Sequence, residues 1–491
     1  MNAISATPCP LRIFAFLLIP MACWQVWLFP GIPNYYAQHF LLYPSLVFML
    51  WAWKRGLWTL ADAWRLARPF FPWLLLLVTM QAVADWRSVR FFLAEGAPMW
   101  PSIATDLIKL GVQLPFILFF ALLCRVLLRE ETSRRAMLQG AVWSFGFLAF
   151  WCTVQAVYVY TVATPFYPEQ ESGSEEILAV RKLLRVMLEN VSPWLEARWP
   201  SIVYDFYEKG SYSLTLTRFN GFFEEASALS AMVGVFFAPL GFGLLGLANY
   251  KRKFQVVGTV ILVASLGIMI FCRSGTGQIL SIVTLSLMVL SCLRGRFKLF
   301  KIFAGAALVV ACTYAALYAP HVGSYFAYRD RVFELSKTPR VIITLDTLDI
   351  LKAHTLLGVG RNWYFAHLQN GQRYLANLSD PELRVWKERR SGGELSALPA
   401  LAAQYGLPLI ILAFIFVGRI WWRLQTLHRA QPVNPLLAFM VPACTAWLVL
   451  GLTASFGAVD IRNPLFSLPL FCFYAISQGI GLEDIGEADE A

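Results

Sequence analysis

Residues 251–298 decide the fold, and they read KRKFQVVGTVILVASLGIMIFCRSGTGQILSIVTLSLMVLSCLRGRFK. Two apolar runs, 255–272 and 276–293, are separated by a short turn that carries Arg273. Each run is close to the roughly 20 apolar residues that cross about 30 Å of hydrocarbon as a helix. Basic residues flank the pair on both sides, as is typical of the cytoplasmic ends of membrane helices. The stretch therefore predicts a hairpin of two transmembrane helices.

The same composition extends over all 491 residues, of which 58% are hydrophobic and 14% charged. Soluble proteins average about 25% charged residues, so this chain has too few charges to solvate a globule. The net charge of +11 does not indicate a nucleic-acid partner, because many of the basic residues lie in short clusters between apolar runs. We therefore predict an all-α polytopic membrane protein with a single transmembrane domain, 1–491.

Apolar runs near the length of a membrane span predict about twelve transmembrane helices. They lie at 11–30, 38–53, 70–86, 105–124, 136–164, 222–248, 255–272, 276–293, 302–319, 396–418, 436–455 and 463–481. Two connections, 165–221 and 320–395, are much longer than the others. Long loops in a compact protein are usually functional or disordered, and apolar periodicity in these two favours function.

The distribution of Lys and Arg between the runs predicts the orientation. Basic clusters occupy every second gap, at 54–68, 125–135, 251–253, 294–301 and 419–429. The short loops in the other gaps carry only Arg87, Arg90, Arg273 and Arg462. The positive-inside rule then predicts cytoplasmic N and C termini, with 165–221 and 320–395 on the periplasmic side.

Each long loop contains a predicted helix. In the first, apolar residues recur at helical spacing from Ile177 to Val191, after Ser and Glu residues that suit a helix start. In the second, one face of a possible helix is formed by Val341, Leu345, Leu348 and Leu351, with Asp346 and Asp349 on another side. We expect both helices to lie on the membrane surface or over the span ends.

The first stretch with costly charges is 218–230, which closes the first long loop. Arg218, Glu224 and Glu225 interrupt an otherwise apolar run. Charge near lipid costs at least a few kcal/mol, so these groups should pair or line a wet cavity. A structural ion pair that fixes the helix start is the alternative.

Two further stretches combine arginine with glycine. In 271–277, Arg273 precedes Gly275 and Gly277, which suits either an anion site or a side chain that reaches lipid headgroups. In the second long loop, Arg340 precedes a turn that contains Gly358 and Gly360, and Arg361 follows. That loop is mildly basic, and it is either a solvated face or a site for an anion such as diphosphate.

No metal or cofactor is predicted. His321, His354 and His367 are scattered along the sequence, and neither HExxH nor a DxD pattern occurs in the outer loops. The cysteines include no CxxC pair, and none lies in either long loop. The sequence also lacks the glycine-rich motifs that bind the phosphates of nucleotides.

In this order, the three charged stretches resemble the O-antigen polymerase and ligase superfamily of bacterial envelopes. Residues 218–227, RFNGFFEEAS, are similar to an Arg-x-x-Gly-x-Phe-x-Glu-Pro-Ser element, with Ala226 in place of proline. Residues 272–275, CRSG, are similar to a Ser-Arg-Thr-Gly turn. Residues 354–360, HTLLGVG, are similar to a His-Pro-Leu-Leu-Gly-x-Gly segment. The resemblance implies a GT-C-like helical fold in the bacterial inner membrane.

Within this superfamily, one departure favours a Wzy-type polymerase over a lipid A–core ligase. Ligases carry a His-Asn pair shortly before a Glu-x-Gly. Here Gln404-Tyr-Gly406 resembles the later element, but the earlier one falls near Leu395–Ser396, where no histidine is present. The resemblance therefore implies a metal-independent glycosyltransferase for lipopolysaccharide or exopolysaccharide, and it leaves the catalytic base open.

Such a polymerase joins undecaprenyl-diphosphate-linked oligosaccharide repeat units on the periplasmic face, and undecaprenyl diphosphate leaves. The resemblance and the cost of charge on that leaving group together suggest Arg218 and Arg273 as diphosphate-binding residues, followed by Arg340 and Arg361. Glu225, or else Glu224 or Glu394, would orient or deprotonate the acceptor hydroxyl. Expected partners are the lipid-linked donor and acceptor, membrane lipid and a chain-length regulator.

Two alternatives remain at the level of sequence. An O-antigen ligase of the same superfamily would differ only in its acceptor. A flippase for lipid-linked oligosaccharides would carry charged residues at several mid-span positions and broken helices in paired halves. Here most charges lie in outer loops and at span ends, and the halves show no symmetry.

Overall fold

The computed structural model describes residues 9–28, 41–92, 100–161, 219, 221, 223, 226–292, 339–361, 363–377, 397–456 and 464–482. Every regular element in these ranges is helical. Membrane-spanning structures that satisfy their backbone internally are helices or closed barrels, and this part of the chain is a helix bundle. The all-α prediction is thus confirmed for the described residues.

Among the described residues, the first half of the bundle contains seven helices. They are α1 (Cys9–Leu28), α2 (Leu42–Lys54), α3 (Leu60–Ala67), α4 (Phe71–Phe92), α5 (Trp100–Arg129), α6 (Glu131–Thr161) and α7 (Ala226–Met232). A 3₁₀ turn, Arg68–Phe70, joins α3 to α4 and contains Pro69. Proline has no backbone N–H and is tolerated at such a junction.

The second half begins with a π turn, Val233–Phe237, that continues α7 into the next helix. There follow α8 (Ala238–Gly246), α9 (Arg252–Phe271), α10 (Gly275–Cys292), α11 (Pro339–Ala353), α12 (Tyr364–Gln369), α13 (Gln372–Ala376), α14 (Ala397–Tyr405), α15 (Leu407–Ala430), α16 (Pro435–Ala454) and α17 (Pro464–Ser477).

Six helical segments among the described residues are long and apolar enough to cross a membrane. They are Leu60–Phe91, Glu131–Ala156, Ala226–Gly246, Arg252–Phe271, Leu407–Ala430 and Pro435–Ala454. Shorter apolar helices cover Cys9–Cys23, Gly275–Ser291 and Ser467–Ser477, where spans were also predicted. The predicted span 302–319 lies outside the described residues, so a total of twelve remains a prediction.

One predicted span has the wrong bounds. The apolar run 396–418 is divided at Gly406, where φ is +83° and the chain turns from α14 into α15. Such a φ strongly favours glycine, and Pro408 follows in the first turn of α15. The span therefore runs from Leu407 to Ala430, and α14 is a separate short helix.

The segment Ala226–Gly246 lies at the centre of the bundle, and most of its residues are buried. Its glycines permit close helix contacts. A side chain at Gly246 would overlap the backbone of Ala438, and one at Gly241 would lie 2.8 Å from Leu262. Small residues at helix crossings are a common solution in membrane bundles, and they fix the central segment against α9 and α16.

The bundle has two distinct ends. At one end, which we call the basic end, Tyr250 donates a hydrogen bond to Val433 O (2.6 Å), and Arg129 donates one to Leu57 O (2.9 Å). The predicted cytoplasmic clusters at 54–55, 129–135 and 251–253 adjoin these contacts in the sequence. The other end, which we call the Arg273 end, contains the starts of α7 and α10. There Leu398 N–H bonds Ser455 O (2.8 Å).

A second, smaller apolar core is separate from that of the bundle. It contains Ile342, Ile343, Ile350, Val359, Tyr364, Leu368, Tyr374, Ala400 and Ala403. These residues come from α11 to α14 and from the segment between α11 and α12. The middle of the predicted loop 320–395 thus folds into a compact helical unit, which we call the α11–α14 unit.

Candidate functional site

The turn between α9 and α10 holds Arg273 in an unusual backbone conformation. Arg273 has φ +54° and is the one described residue other than glycine with a positive φ. For a residue with a Cβ, this left-handed conformation costs roughly 1–2 kcal/mol. Strain of this kind persists where the surrounding structure fixes it, and it is frequent at functional sites.

A buried chain of hydrogen bonds fixes this turn to α7. Gly277 N–H donates to Ser274 Oγ (2.9 Å), which caps the start of α10. Ser230 Oγ donates to Ala226 O (2.8 Å), since a carbonyl only accepts. The contact between the two serine oxygens, 2.6 Å long, must therefore be donated by Ser274. Ser230 and Ser274 thus connect two of the three charged stretches of the sequence.

Cys272 takes part in the same cluster. Its Sγ lies 2.9 Å from Ser230 Oγ and 3.3 Å from Met269 O. The residue is fully buried, so the thiol packs between α7 and α9. A side chain added at Gly275, by contrast, would meet no atom within 4 Å. The start of α10 is therefore open beside Arg273, whereas the opposite side of the turn is closed.

The glycine of the first stretch is also fixed. Gly221 has φ +62°, and both of its backbone groups bond the Gln155 side chain of α6. Gly221 N–H donates to Oε1 (2.7 Å), and Nε2 donates to Gly221 O (3.0 Å). A buried amide that satisfies both groups of one residue holds the chain in one orientation. The entry into α7 is thereby fixed next to α6.

Several predicted site residues lie outside the described residues: Arg218, Glu224, Glu225 and Glu394. For Arg340 the backbone lies in the first turn of α11, and its side chain is likewise outside the described part. Arg273 and Arg361 are described, and each is partly buried. Their assignment to a diphosphate remains a prediction.

The glycines of the third stretch serve close packing. Gly358 N–H bonds His354 O (2.9 Å), Val359 N–H bonds Ala403 O (2.9 Å), and Gly360 N–H bonds Gln404 O (3.1 Å). These donors are engaged within the protein, so this turn does not cradle an anion with its backbone. A side chain at Gly360 would overlap Asp85 Oδ1. Arg361 follows directly after this fixed turn.

The polar face of α4 that meets this turn was not predicted from the sequence. Gln81, Asp85 and Ser88 are buried, and they lie on one face of an otherwise largely exposed apolar helix. Gln81 Nε2 donates to Gln404 O (3.2 Å), and Ser88 Oγ donates to Val359 O (2.6 Å). The signal in the sequence is polar residues spaced by four and three within an apolar run.

Two histidines that are distant in sequence meet at the end of this face. The ring centroids of His354 and His367 are 5.2 Å apart, and Phe91 of α4 stacks on His367 at 5.3 Å. The histidines are scattered along the sequence, and the fold brings this pair together. Burial and the neighbouring His354 lower the pKa of His367 to about 4. Burial and the nearby Arg87 lower the pKa of His354.

The helix predicted in the second long loop is confirmed as α11. Leu345 and Leu348 are exposed, whereas Asp346 is 2% exposed. Asp346 accepts hydrogen bonds from Tyr374 N–H (2.7 Å) and Arg373 Nη1 (3.3 Å). Asp349, on the surface, pairs with Arg373 and with Lys352, and these bonds lower its pKa. Arg373 therefore holds α13 against α11.

Within the described residues, no three His, Cys, Asp or Glu side chains lie close enough together to hold a metal ion. Independence from metal and cofactor remains a prediction. The predicted helix between Ile177 and Val191 lies outside the described residues.

The fold and the site together define a helical, multi-pass membrane protein with a small helical unit that contacts the bundle through α4. Comparison of the chain with protein-family models and with curated protein sequences gives no match.

Proposed function

We propose that this protein is a polysaccharide polymerase of the bacterial inner membrane. It joins undecaprenyl-diphosphate-linked oligosaccharide repeat units on the periplasmic face. Twelve spans, a GT-C-like arrangement and cytoplasmic termini belong to this proposal. The resemblance of three ordered sequence stretches to the O-antigen polymerase and ligase superfamily supports it, as does the separation of basic clusters from the Arg273 end of the bundle.

The observation that carries the proposal is the strained backbone of Arg273. The Ser274–Ser230 hydrogen bonds and the buried Cys272 fix the turn beside the open start of α10. A helix start presents N–H groups and a partial positive charge that attract anions. A guanidinium beside it suits the oxygens of a diphosphate, because its planar fork binds two oxygens at once. A surface arginine that merely reaches lipid headgroups needs no such fixed backbone.

The reaction follows from this chemistry. A hydroxyl oxygen of the acceptor repeat unit attacks the anomeric carbon of the donor, and the bond from that carbon to the diphosphate oxygen breaks. Negative charge accumulates on the leaving undecaprenyl diphosphate, and Arg273, with Arg218, stabilises it. The hydroxyl proton passes to a carboxylate, with Glu225 the first choice and Glu224 and Glu394 the others. Arg340 and Arg361 are the further candidates for diphosphate binding.

The test is polymer formation in the host strain with Arg273 replaced. Arg273→Ala should lower the polymerisation rate by about a hundredfold. Arg273→Lys should lower it by at least about tenfold, because lysine keeps the charge and loses the fork. Arg90→Ala is the control, since Arg90 is an exposed arginine at the same end of the bundle. Gel analysis of the surface glycan should show chains of a single repeat unit.

Two outcomes would contradict the proposal. One is long-chain polymer at normal levels from Arg273→Ala protein that accumulates in the membrane like the wild type. The other is long polymer retained on the lipid carrier, which indicates a ligase. Arg218→Ala is expected to give the same single-unit chains as Arg273→Ala.

A further inference from the structure

The polar face of α4 contacts the segment that carries Arg361. Gln81, Asp85 and Ser88 are each at most 3% exposed, although α4 otherwise presents large apolar side chains such as Leu75 and Trp86 outward. Polar groups in a membrane helix are costly unless they are satisfied within the protein. An apolar face could pack α4 against α14 without the cost of burying polar groups. These polar contacts therefore indicate a role other than helix packing.

Ser88 holds Val359 from one side. Its hydroxyl donates to Val359 O at 2.6 Å. The serine has one proton, so its second contact, 3.1 Å to His367 Nε2, must be donated by the histidine. This assigns the proton of His367 to Nε2. Phe91, one turn beyond Ser88 on α4, stacks on the ring and keeps it in place.

Helix α14 holds the same segment from the other side. Val359 N–H and Gly360 N–H bond the carbonyls of Ala403 and Gln404. Gln81 Nε2 donates to that same Gln404 carbonyl at 3.2 Å. The backbone at 359–360 is therefore bonded both to α14 and to α4, and the next residue is Arg361.

We infer that Ser88 and His367 are positioning residues that fix Gly358–Gly360 between α4 and α14 and thereby set the direction of Arg361. The inference rests on the proposed function, in which Arg361 meets the diphosphate of a lipid-linked glycan. Ser88 and His367 act through the backbone of this segment and do not touch the substrate themselves. A membrane helix is thus connected to the α11–α14 unit by side chains that control one guanidinium.

The first test measures the segment itself. Hydrogen–deuterium exchange of the full-length protein in detergent reports on the amides of Val359 and Gly360. Ser88→Ala should speed their exchange by about tenfold, as loss of one buried hydrogen bond predicts. Thr79→Ala is the matched control, because Thr79 lies on the exposed side of α4 and bonds only Leu75 O of its own helix (2.8 Å). Unchanged exchange in Ser88→Ala would overturn the inference.

The second test measures turnover with lipid-linked repeat units isolated from the host strain. Ser88→Ala should lower kcat by about tenfold and leave KM within about twofold, because Arg361 acts on the leaving charge. Adding Arg361→Ala to Ser88→Ala should lower kcat little further, since both changes remove the same interaction. If the effects of the two substitutions on kcat multiply in the double variant, the inference is wrong. If Ser88→Ala protein does not accumulate, His367→Phe replaces it, since phenylalanine keeps the stack on Phe91 and lacks the N–H donor.

The two tests separate the inference from the proposed function. If the wild-type protein does not polymerise these substrates, the proposed function fails, and exchange alone decides the positioning role. Faster exchange confined to 357–361 then supports the positioning of the segment by Ser88. Exchange that rises equally over the whole α11–α14 unit contradicts it and assigns Ser88 to general stability.

Discussion

Gly360 is required for two separate reasons. Its φ is +86°, and the space that a side chain would occupy is taken by Asp85 Oδ1. Gly360→Ala should therefore destabilise the fold by roughly 3 kcal/mol or more, from backbone strain plus overpacking against a buried carboxylate. Thermal unfolding in detergent measures the change.

Gly56 supplies the control for this substitution. It has φ +71°, and an added side chain would meet nothing within 4 Å. Gly56→Ala should cost only about 1 kcal/mol, the price of the left-handed backbone. Equal losses at the two positions would show that contact with Asp85 contributes nothing.

His367 makes the α11–α14 unit sensitive to acid. Its pKa in the folded protein is about 4, against an ordinary 6.5, because it is buried and lies beside His354. The unfolded segment therefore binds the proton more readily. The free energy of unfolding of the α11–α14 unit should be highest above about pH 6.5 and should fall as the pH drops to about 4. Below that pH, His367 should cause no further change. The loss is about 3 kcal/mol at most.

Exchange of the amides in 357–371 between pH 7 and pH 4.5, corrected for intrinsic rates, measures this loss. His354 and Arg87 lie in the same environment, and protonation of His354 acts in the same direction because its pKa is also lowered. His367→Phe should flatten most of the pH dependence. An unaltered slope in that variant would assign the effect to other groups.

The residues of the site show how much of a candidate functional site can be predicted from sequence. Arg273 could be selected because it is an arginine in a short turn between apolar runs. The φ of +54° and the serine contacts behind it depend on α7, which lies more than 40 positions away. Asp85 and Ser88 carry a readable signal, but their partners Gly360 and Val359 are about 270 residues distant. Local patterns locate such residues and do not identify what they bind.

At the scale of elements, α11 illustrates the same limit. Its helical spacing is evident in the sequence, and the structure contains the helix at Pro339–Ala353. The sequence predicts its leucines on one face and its aspartates on another, and an aspartate normally remains in water. Asp346 is buried because Arg373 and the Tyr374 N–H reach it from α13. A pairing across 27 residues therefore buries a side chain that hydrophobicity alone places in water.

A comparison of Asp346 with Asp349 tests this orientation. Asp346→Ala should destabilise the α11–α14 unit by about 2–3 kcal/mol, because it leaves the buried Tyr374 N–H without its acceptor. Asp349→Ala removes an exposed pair with the same arginine and should cost less than about 1 kcal/mol. Amide exchange across 342–377 measures both variants. A larger loss for Asp349→Ala would show that the surface pair holds the two helices together.

At the scale of the whole molecule, the separation of charge predicts which end faces the cytoplasm. The predicted inner clusters at 54–55, 129–135 and 251–253 lie at one end, and Arg273 lies at the other. In a variant without Cys9, Cys292, Cys312 and Cys472, a cysteine at Gly275 should react with a membrane-impermeant thiol reagent on intact cells whose outer membrane is permeable. A cysteine at Gly56 should react only after lysis.

Both sites are open to a new side chain, although the left-handed backbone at Gly56 makes that replacement slightly strained. Labelling of position 56 but not of position 275 on intact cells would show that the orientation is the opposite of the predicted one. The helical class and five of the six candidate spans followed from apolar length alone, because an apolar run long enough to cross a membrane is visible in the sequence. The boundary at Gly406 and the contact of the α11–α14 unit with α4 did not, since they depend on packing between distant segments.

The π turn at Val233–Phe237 fixes the rotation of one half of the central segment relative to the other. A wide turn holds one residue more than an α-helical turn, and one residue corresponds to about 100° of rotation. If the turn rewound into a regular α-helix with all of its residues retained, and α8 kept its register against Ala438, α7 would rotate by about 100°. Ser230 would then swing out of reach of Ser274, and the strained turn would lose its support. The π turn therefore sets the rotation of α7, which carries Ser230, independently of α8, which packs in the core.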